Sequence, residues 1–489
     1  MKKKIVVVGN GMVGHYSVEK LLETKLDFDI TVIGAEPRVA YDRVHLSEFF
    51  SGKKPEELAL TSREFYEENG VNAFFGDPVD AIDAENKSVT TAGGMTFQYD
   101  QLILATGSYA FVPPIPGNQL PHCLTYRTID DLGEIKSSAT GSRVGVVVGG
   151  GLLGLECANA LLNLGLETHV VEFAPGLMGV QLDNGGSDML RTKIEALGVQ
   201  VHTSKATQAI KEGDQHRLKM EFADGGELET DMIVFSAGIR PYDELAKKAG
   251  LKLGERGGIV IDYHCRTSDK DIFAIGECAL WAGQILGLVA PGYRMAEVAV
   301  SQLTDEHTTF KGADMSTKLK LLGVDVGSIG DSLAKTPGAV RYQYNNPRDQ
   351  VYKSLVVSED GKKLLGAVLV GDCSEYDALL QYYLNAIDLP TEPEALILPS
   401  TGEPVGLGVD ALPDTAQICS CNNVSKGDLI SAIDGGVLEL GELKSCTKAG
   451  TTCGGCAVMV GQVLNSELEK RGIEVNTDIC EHFPYTRQD

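Results

Sequence analysis

No stretch of the 489-residue chain approaches the roughly 18 consecutive apolar residues that a membrane-spanning helix needs. A helical span is excluded, and a soluble chain is expected. Basic residues are also in short supply, with 43 Lys and Arg against 68 Asp and Glu and a formal net charge of −25. Such a surface repels phosphate backbones and anionic lipid, so neither nucleic acid nor a membrane is expected as a partner. The N-terminus is basic at Lys2-Lys3-Lys4, but it has neither the apolar length nor the cleavage site of a signal peptide, because Ile5 to Val8 runs straight into glycines. A cytoplasmic location follows as an expectation. Eleven cysteines in a chain of that compartment point to metal or catalytic use ahead of disulfides.

What is present first is length, enough for three or four domains of about 100–200 residues each. The opening reads as a β-strand, Lys4 to Val8, running into Gly9-Asn10-Gly11-Met12-Val13-Gly14 and a helical segment through Leu22. In such a turn the first glycine permits the tight bend, the second lets backbone approach a pyrophosphate, and the third packs helix on strand. A second strand, Asp29 to Ile33, ends near Glu36, at the spacing of an acid that binds a ribose diol. The device returns at Val144 to Val148, then Gly149-Gly150-Gly151-Leu152-Leu153-Gly154, with Glu156 in the helix and Thr168 to Val171 ending at Glu172. Phe173-Ala174-Pro175-Gly176 supplies no Arg or Lys for a 2′-phosphate, so the second site favours NADH over NADPH. Two intact copies imply two dinucleotides, and the glycines do not say which copy holds which.

Between the repeats lies Leu102-Ile103-Leu104-Ala105-Thr106-Gly107-Ser108, followed later by Ile233 to Pro241 around Gly238 and by Asp271 to Cys278, which contains Gly276 and Glu277. In that order these segments resemble the pyridine-nucleotide flavoprotein reductases over roughly residues 1–310. The resemblance implies FAD on the first repeat, NADH on the second, and an acidic residue of the third segment on the FAD ribityl chain. Glu277 stands where most of that family has Asp; its bland alternative is a cap on the following helix. Tyr41-Asp42-Arg43 resembles the ferredoxin- and rubredoxin-reductase branch, which implies that Arg43 contacts FAD, the alternative being a surface ion pair. Disulfide reductases of this fold keep a cysteine pair beside the flavin, and peroxide-type members keep one cysteine there. Residues 36–60 contain none, so the flavin must discharge elsewhere.

Cys419-Ser420-Cys421 and, after thirty-one intervening residues, Cys453-Gly454-Gly455-Cys456 offer four thiolates. That set suits tetrahedral zinc or a [2Fe–2S] cluster, which spacing alone does not separate. The pattern resembles the bacterioferritin-associated ferredoxin type of domain over 415–470, which implies the cluster; the glycines would let backbone wrap its core. Cys446 is read as a spare thiol, and Cys123, Cys157, Cys265, Cys278 and Cys373 as packing residues. Pro291-Gly292-Tyr293 is expected to precede a helix, Arg294 to Leu303, whose N-terminus would face reduced-flavin charge.

Strand-like runs over 315–400 and five prolines between Pro390 and Pro413 give a small α+β domain and a linker. Across nearly its whole length, on Gly9 to His15, Tyr41 to Leu46, Lys320 to Gly327 and Gln417 to Cys421, the chain resembles the large subunits of NAD(P)H-dependent assimilatory nitrite reductases. The expected architecture is α/β, with two Rossmann-like dinucleotide-binding domains, FAD on 1–115 plus 242–312 and NADH on 116–241. An α+β domain on 313–405, a helical iron–sulfur domain on 415–470 and a tail on 471–489 complete it. The resemblance implies an electron-input part that passes electrons from NADH through FAD to [2Fe–2S]; sirohaem and [4Fe–4S] would belong to a module absent from this chain or to a partner. A homodimer is a further possibility. Two other readings stay open: a reductase for a separate nitrate reductase, rubredoxin or ferredoxin, and a zinc-stapled scaffold that senses NADH.

Overall fold

The computed structural model describes residues 2–399, 408–419, 422–451 and 454–473. Four β-branched or aliphatic residues, Ile5 to Val8, end strand β1 (Lys3–Val8) and are fully buried, as a central parallel strand covered on both faces requires. Helix α1 (Met12–Glu23) follows, then β2 (Phe28–Gly34), β3 (Asn72–Phe75) and β4 (Gln101–Leu104). A second series comprises β5 (Cys123–Thr125), α2 (Ile129–Ala139), β6 (Val144–Val148), α3 (Leu152–Asn163), β7 (Glu167–Val171), β8 (Gln200–His202) and β9 (Met232–Phe235). Strand β10 (Ile272–Ala274) returns to the first sheet, and α4 (Val289–Ser301) comes after it. The sheet orders are β10-β4-β1-β2-β3 and β5-β9-β6-β7-β8, every pairing parallel. Four strands of each sheet follow one order, while the edge strand comes last in the chain in the first sheet (β10) and first in the second (β5); each glycine turn leaves the C-terminal end of the central strand, where open α/β sheets place ligands.

One boundary differs from the sequence reading. Helix α4 begins at Val289 and takes in Pro291 and Gly292 instead of starting behind them. Proline is tolerated there because the first-turn N–H groups have no intrahelical acceptor anyway. Gly292 has a packing reason: a Cβ on it would stand 2.5 Å from Val13 Cγ2, so its absence lets α4 lie against α1.

Strands β11 (Thr317–Leu321), β12 (Val324–Gly330), β13 (Val340–Asn346), β14 (Val351–Val357) and β15 (Leu364–Val370) form a sheet of order β11-β12-β15-β14-β13, ahead of α5 (Tyr376–Leu384). The chain divides into two compact units, one of Met1–Val326, Asn345–Tyr352 and Val368–Asp372, the other of Gly327–Tyr344, Lys353–Ala367 and Cys373–Asp489. In the second unit, the short pair β16 (Gln417–Cys419) and β17 (Val424–Ser425) leads into α6 (Lys426–Asp434), α7 (Leu440–Thr447) and α8 (Ala457–Lys470). Ser425 caps α6 through a reciprocal box with Asp428. Leu429, Ile433, Leu443, Val460, Val463 and Leu464 make the core on which Cys419 and Cys456 also pack. No helix among the described residues is long and apolar enough to cross a membrane.

Candidate functional site

At the first turn, a Cβ on Gly9 would sit 2.1 Å from Ala105 O, and one on Gly14 would sit 2.0 Å from Gly9 O. At the second, Gly149 meets Ser236 O at 2.3 Å and Gly154 meets Gly149 O at 2.0 Å. These are backbone collisions, so only glycine lets strand, turn and helix close this tightly. Gly11 and Gly151, by contrast, have nothing within 4 Å of their missing Cβ. Both stand at the N-caps of α1 and α3, neither of which has a side-chain cap. Open space in front of uncapped N–H groups suits a diphosphate at each turn. Gly9 N and Gly149 N donate at 2.8 Å to Ile33 O and Val171 O, which completes the correspondence.

The acids are held differently. Glu36 accepts from Arg43 Nη2 at 2.5 Å and from Tyr41 Oη at 2.9 Å, with the Arg43 guanidinium 5.0 Å over the Tyr41 ring. Glu172 accepts from two backbone groups, Gly150 N at 2.5 Å and Ala174 N at 2.6 Å. Asn10, the counterpart of Gly150, accepts from Tyr66 Oη at 2.9 Å, and its buried Nδ2 has no partner among the described residues.

Ala105, Thr106 and Gly107 follow β4 at the same end of the sheet. Ala105 N donates to Val8 O, Thr106 Oγ1 donates to Tyr242 O at 2.7 Å, and Gly107 O accepts from Tyr242 N. Gly238, with open space at its missing Cβ, lies in the equivalent segment after β9, and Gly276 packs on Val13. Glu277 caps no helix. Its carboxylate accepts from Ser108 Oγ at 2.7 Å and from Arg127, which also donates to Ser108 O at 3.2 Å. Burial raises the pKa of the Tyr242 hydroxyl, while the positive charges of Arg127 and Arg43 pull it down. The structure thus pairs Glu36 with Arg43 and joins Ser108, Arg127 and Glu277 in one hydrogen-bonded group.

Arg127, Ser108 and Tyr242 were not singled out from sequence. The capping box of Thr128 and Asp131 marks the start of α2 and hence places Arg127 at its head, but its partner is 150 positions away. A bidentate pair, Arg38 with Asp130 at 2.6 and 2.9 Å, was equally hidden.

Two titratable groups lie just past the turns, His15 buried and Glu156 half-buried. Burial pushes His15 down to about 4, and it hydrogen-bonds Tyr66 Oη at 3.0 Å. Burial raises Glu156 to about 7, against the pull of His45.

In the second unit Cys419 is buried and Cys456 half-buried, both on one apolar core. Cys421 and Cys453 lie outside the described residues, as do Cys480 and the tail beyond 473. Soft donors from both halves of the cysteine pattern on a shared core fit a [2Fe–2S] group. Cys446 is exposed on α7 beside Glu439, Gly441, Glu442 and Ser445.

Residues 3–302 match the family model for pyridine nucleotide-disulphide oxidoreductases, 316–386 that for the rubredoxin NAD+ reductase C-terminal domain, and 417–466 that for the BFD-like [2Fe-2S] binding domain. The nitrite reductase (NADH) large subunit of Escherichia coli (strain K12) is 56% identical over an alignment of 494 positions, covering 100% of this chain and 58% of the relative. The assimilatory nitrate reductase electron transfer subunit of Bacillus subtilis (strain 168) is 34% identical, covering 99% of this chain and 62% of the relative. The chain therefore spans less than two thirds of either. The ferredoxin reductase for the CYP199A2 system of Rhodopseudomonas palustris superposes with a TM-score of 0.70 at 24% identity, over 77% of this chain and 93% of that one, and shares the fold.

Proposed function

The chain belongs to the pyridine nucleotide-disulphide oxidoreductase family, and from that premise we propose that it oxidises NADH at the second glycine turn, holds FAD at the first, and delivers electrons to a [2Fe–2S] centre on Cys419, Cys421, Cys453 and Cys456. The observation that carries this reading is the pair of matching turns with open cradles at Gly11 and Gly151. FAD, when bound, supplies the conversion of a hydride into single electrons.

The protein's own residues do the positioning. The N–H groups ahead of α1 and α3 receive the two diphosphates, and Glu36 and Glu172 take the ribose hydroxyls. Arg43 and Glu277 orient the flavin half of FAD, with Ala105, Thr106, Gly107, Gly238 and Gly276 as the backbone floor around it. With no thiol between residues 36 and 60, no local disulfide competes for the electrons. The division into an FAD part on 1–115 and 242–312, an NADH part on 116–241, an α+β part on 313–405 and a cluster part on 415–470 is part of the same proposal.

We place the chain in the cytoplasm, as the electron-input part of an assimilatory nitrite reductase whose sirohaem module takes the electrons. The 56% identity to a nitrite reductase large subunit supports that acceptor. A second reading, supply to a nitrate reductase, is favoured by the Bacillus subtilis relative.

Metal analysis and an anaerobic NADH titration test the core of this. Iron with acid-labile sulfide, and flavin and cluster bleaching at separate wavelengths with more than one NADH consumed per chain, are expected. One zinc and no iron would leave a nucleotide-sensing scaffold instead. The chain alone should reduce ferricyanide with NADH and leave nitrite untouched; nitrite turnover by this chain alone would remove the input-part reading.

A further inference from the structure

Asn422 stands one residue beyond Cys421 and reaches both halves of the cysteine pattern. Its Nδ2 donates to Lys448 O at 2.6 Å and lies 3.9 Å from Cys419 Sγ. Lys448 closes α7 in the left-handed region at φ 62°, five residues before Cys453, and its carbonyl also accepts from Thr451 Oγ1 at 2.8 Å. Asn423, beside Asn422, is left-handed too, at φ 50°. Non-glycine residues keep such conformations where surrounding bonds enforce them. One carboxamide thus fastens the C-x-C loop to the turn that leads into C-x-x-C.

We propose that Asn422 is a positioning residue for the iron–sulfur centre: one amide N–H clamps Lys448 O at the end of α7, and the other is directed at Cys419 Sγ. The inference rests on the reading that the four cysteines hold [2Fe–2S]. Hydrogen bonds to ligand sulfur favour the more electron-rich, reduced state and are among the levers that set cluster potentials. The Asn422 amide therefore raises the midpoint potential above that of the same cluster without it, and makes the cluster an easier acceptor from the flavin.

The full chain carries the test. N422A and N422D lose both N–H donors; N422S keeps one hydroxyl donor in less volume. Iron and sulfide per chain and the cluster midpoint potential, from an anaerobic titration followed by electron paramagnetic resonance, are read beside NADH–ferricyanide turnover, which monitors the flavin part. The expected result is a more negative potential in N422A, more negative still in N422D, where a carboxylate faces the thiolate, and an intermediate value in N422S. Loss of iron from N422A and N422D, with N422S loaded and ferricyanide turnover intact, supports the clamp in the same way. Wild-type potentials in N422A and N422D overturn the proposal, as does loss of iron from all three variants, which assigns the side chain a merely steric role. A wild-type chain that holds no iron sinks the cluster reading itself, before any variant is compared.

Discussion

The two glycine turns share strand order, closing hydrogen bonds and backbone contacts to within a few tenths of an ångström, yet their acids are wired differently. Glu36 is gripped by side chains, Arg43 and Tyr41, from a loop that follows its own strand. Glu172 is gripped by backbone, at Gly150 and Ala174. A carboxylate held by two N–H groups keeps its geometry whatever the neighbouring side chains do, as suits a site through which nucleotide passes at every turnover. A carboxylate held by a guanidinium and a phenol is set by side chains, as suits the proposed role of holding a ligand bound once and kept. The turn is repeated; the difference lies in what holds its acid.

The strongest way to break the comparison is to give each third glycine a Cβ. In G14A and G154A the new atom meets a carbonyl oxygen at 2.0 Å, a collision with backbone that no rotamer relieves and that costs at least the roughly 1–3 kcal/mol of ordinary overpacking. G14A should lose bound FAD, read as flavin absorbance per chain. G154A should keep its FAD and lose reduction by NADH. The same phenotype in both variants would mean that the turns are not separate sites.

Next in size are the acids. Charged hydrogen bonds are worth about 1.5–3 kcal/mol, so E172A should raise the KM for NADH roughly 10- to 100-fold while FAD content stays at the wild-type level. E36A should do the reverse, weakening FAD retention with an unaltered KM once the protein is reloaded. An E172A variant with wild-type KM would refute the ribose role of Glu172.

Most of this was legible in the sequence because it is local. A glycine turn, its strand, its helix and the next acid lie within about one βαβ unit, and hydrophobic runs such as Val144 to Val148 announce a buried parallel strand. What was not legible is long-range. Arg127 meets Glu277 across 150 positions and Arg38 meets Asp130 across 92, and no periodicity encodes such pairings. The start of α4 was misplaced for another reason: a proline reads as a stop, although in a first turn it takes away only an N–H that has no partner. Cys419 and Cys456 share a core, as the cysteine spacing implied, whereas Cys421 and Cys453 lie outside the described residues.

Acidity sharpens the comparison further, because the two titratable groups past the turns respond in opposite directions. His15 is held down at about 4 from 6.5, so its share of stability is present above pH 6.5 and is lost as pH falls through 4. Glu156 is held up at about 7 from 4.5, so its share is present below pH 4.5 and is lost as pH rises through 7. Each difference corresponds to about 3 kcal/mol at most. In melting curves of E156Q against wild type, the variant's advantage should grow from pH 4.5 to 7 and then level off. H15Q should remove the loss on acidification instead. Parallel pH profiles for E156Q and wild type would refute the burial argument for Glu156.

The smallest effect belongs to the residue between the first two glycines. In the first turn that place is filled by Asn10, whose Cβ would stand 3.1 Å from a Cβ on Gly34, the last residue of β2. In the second turn Gly150 leaves it to Leu177 and Glu172, which would come within 2.5 and 3.1 Å of an added Cβ. That space is therefore filled from the turn itself in one case and from beyond the second strand in the other. Removing it from the first turn, in N10G, takes the acceptor from Tyr66 and leaves its hydroxyl with His15 alone. The cost is one neutral hydrogen bond, about 1 kcal/mol, visible as a small fall in melting temperature with most of the FAD retained. A complete loss of flavin from N10G would show instead that Asn10 bears directly on the cofactor, and the two turns would then differ in their ligand contacts as well as in how their acids are held.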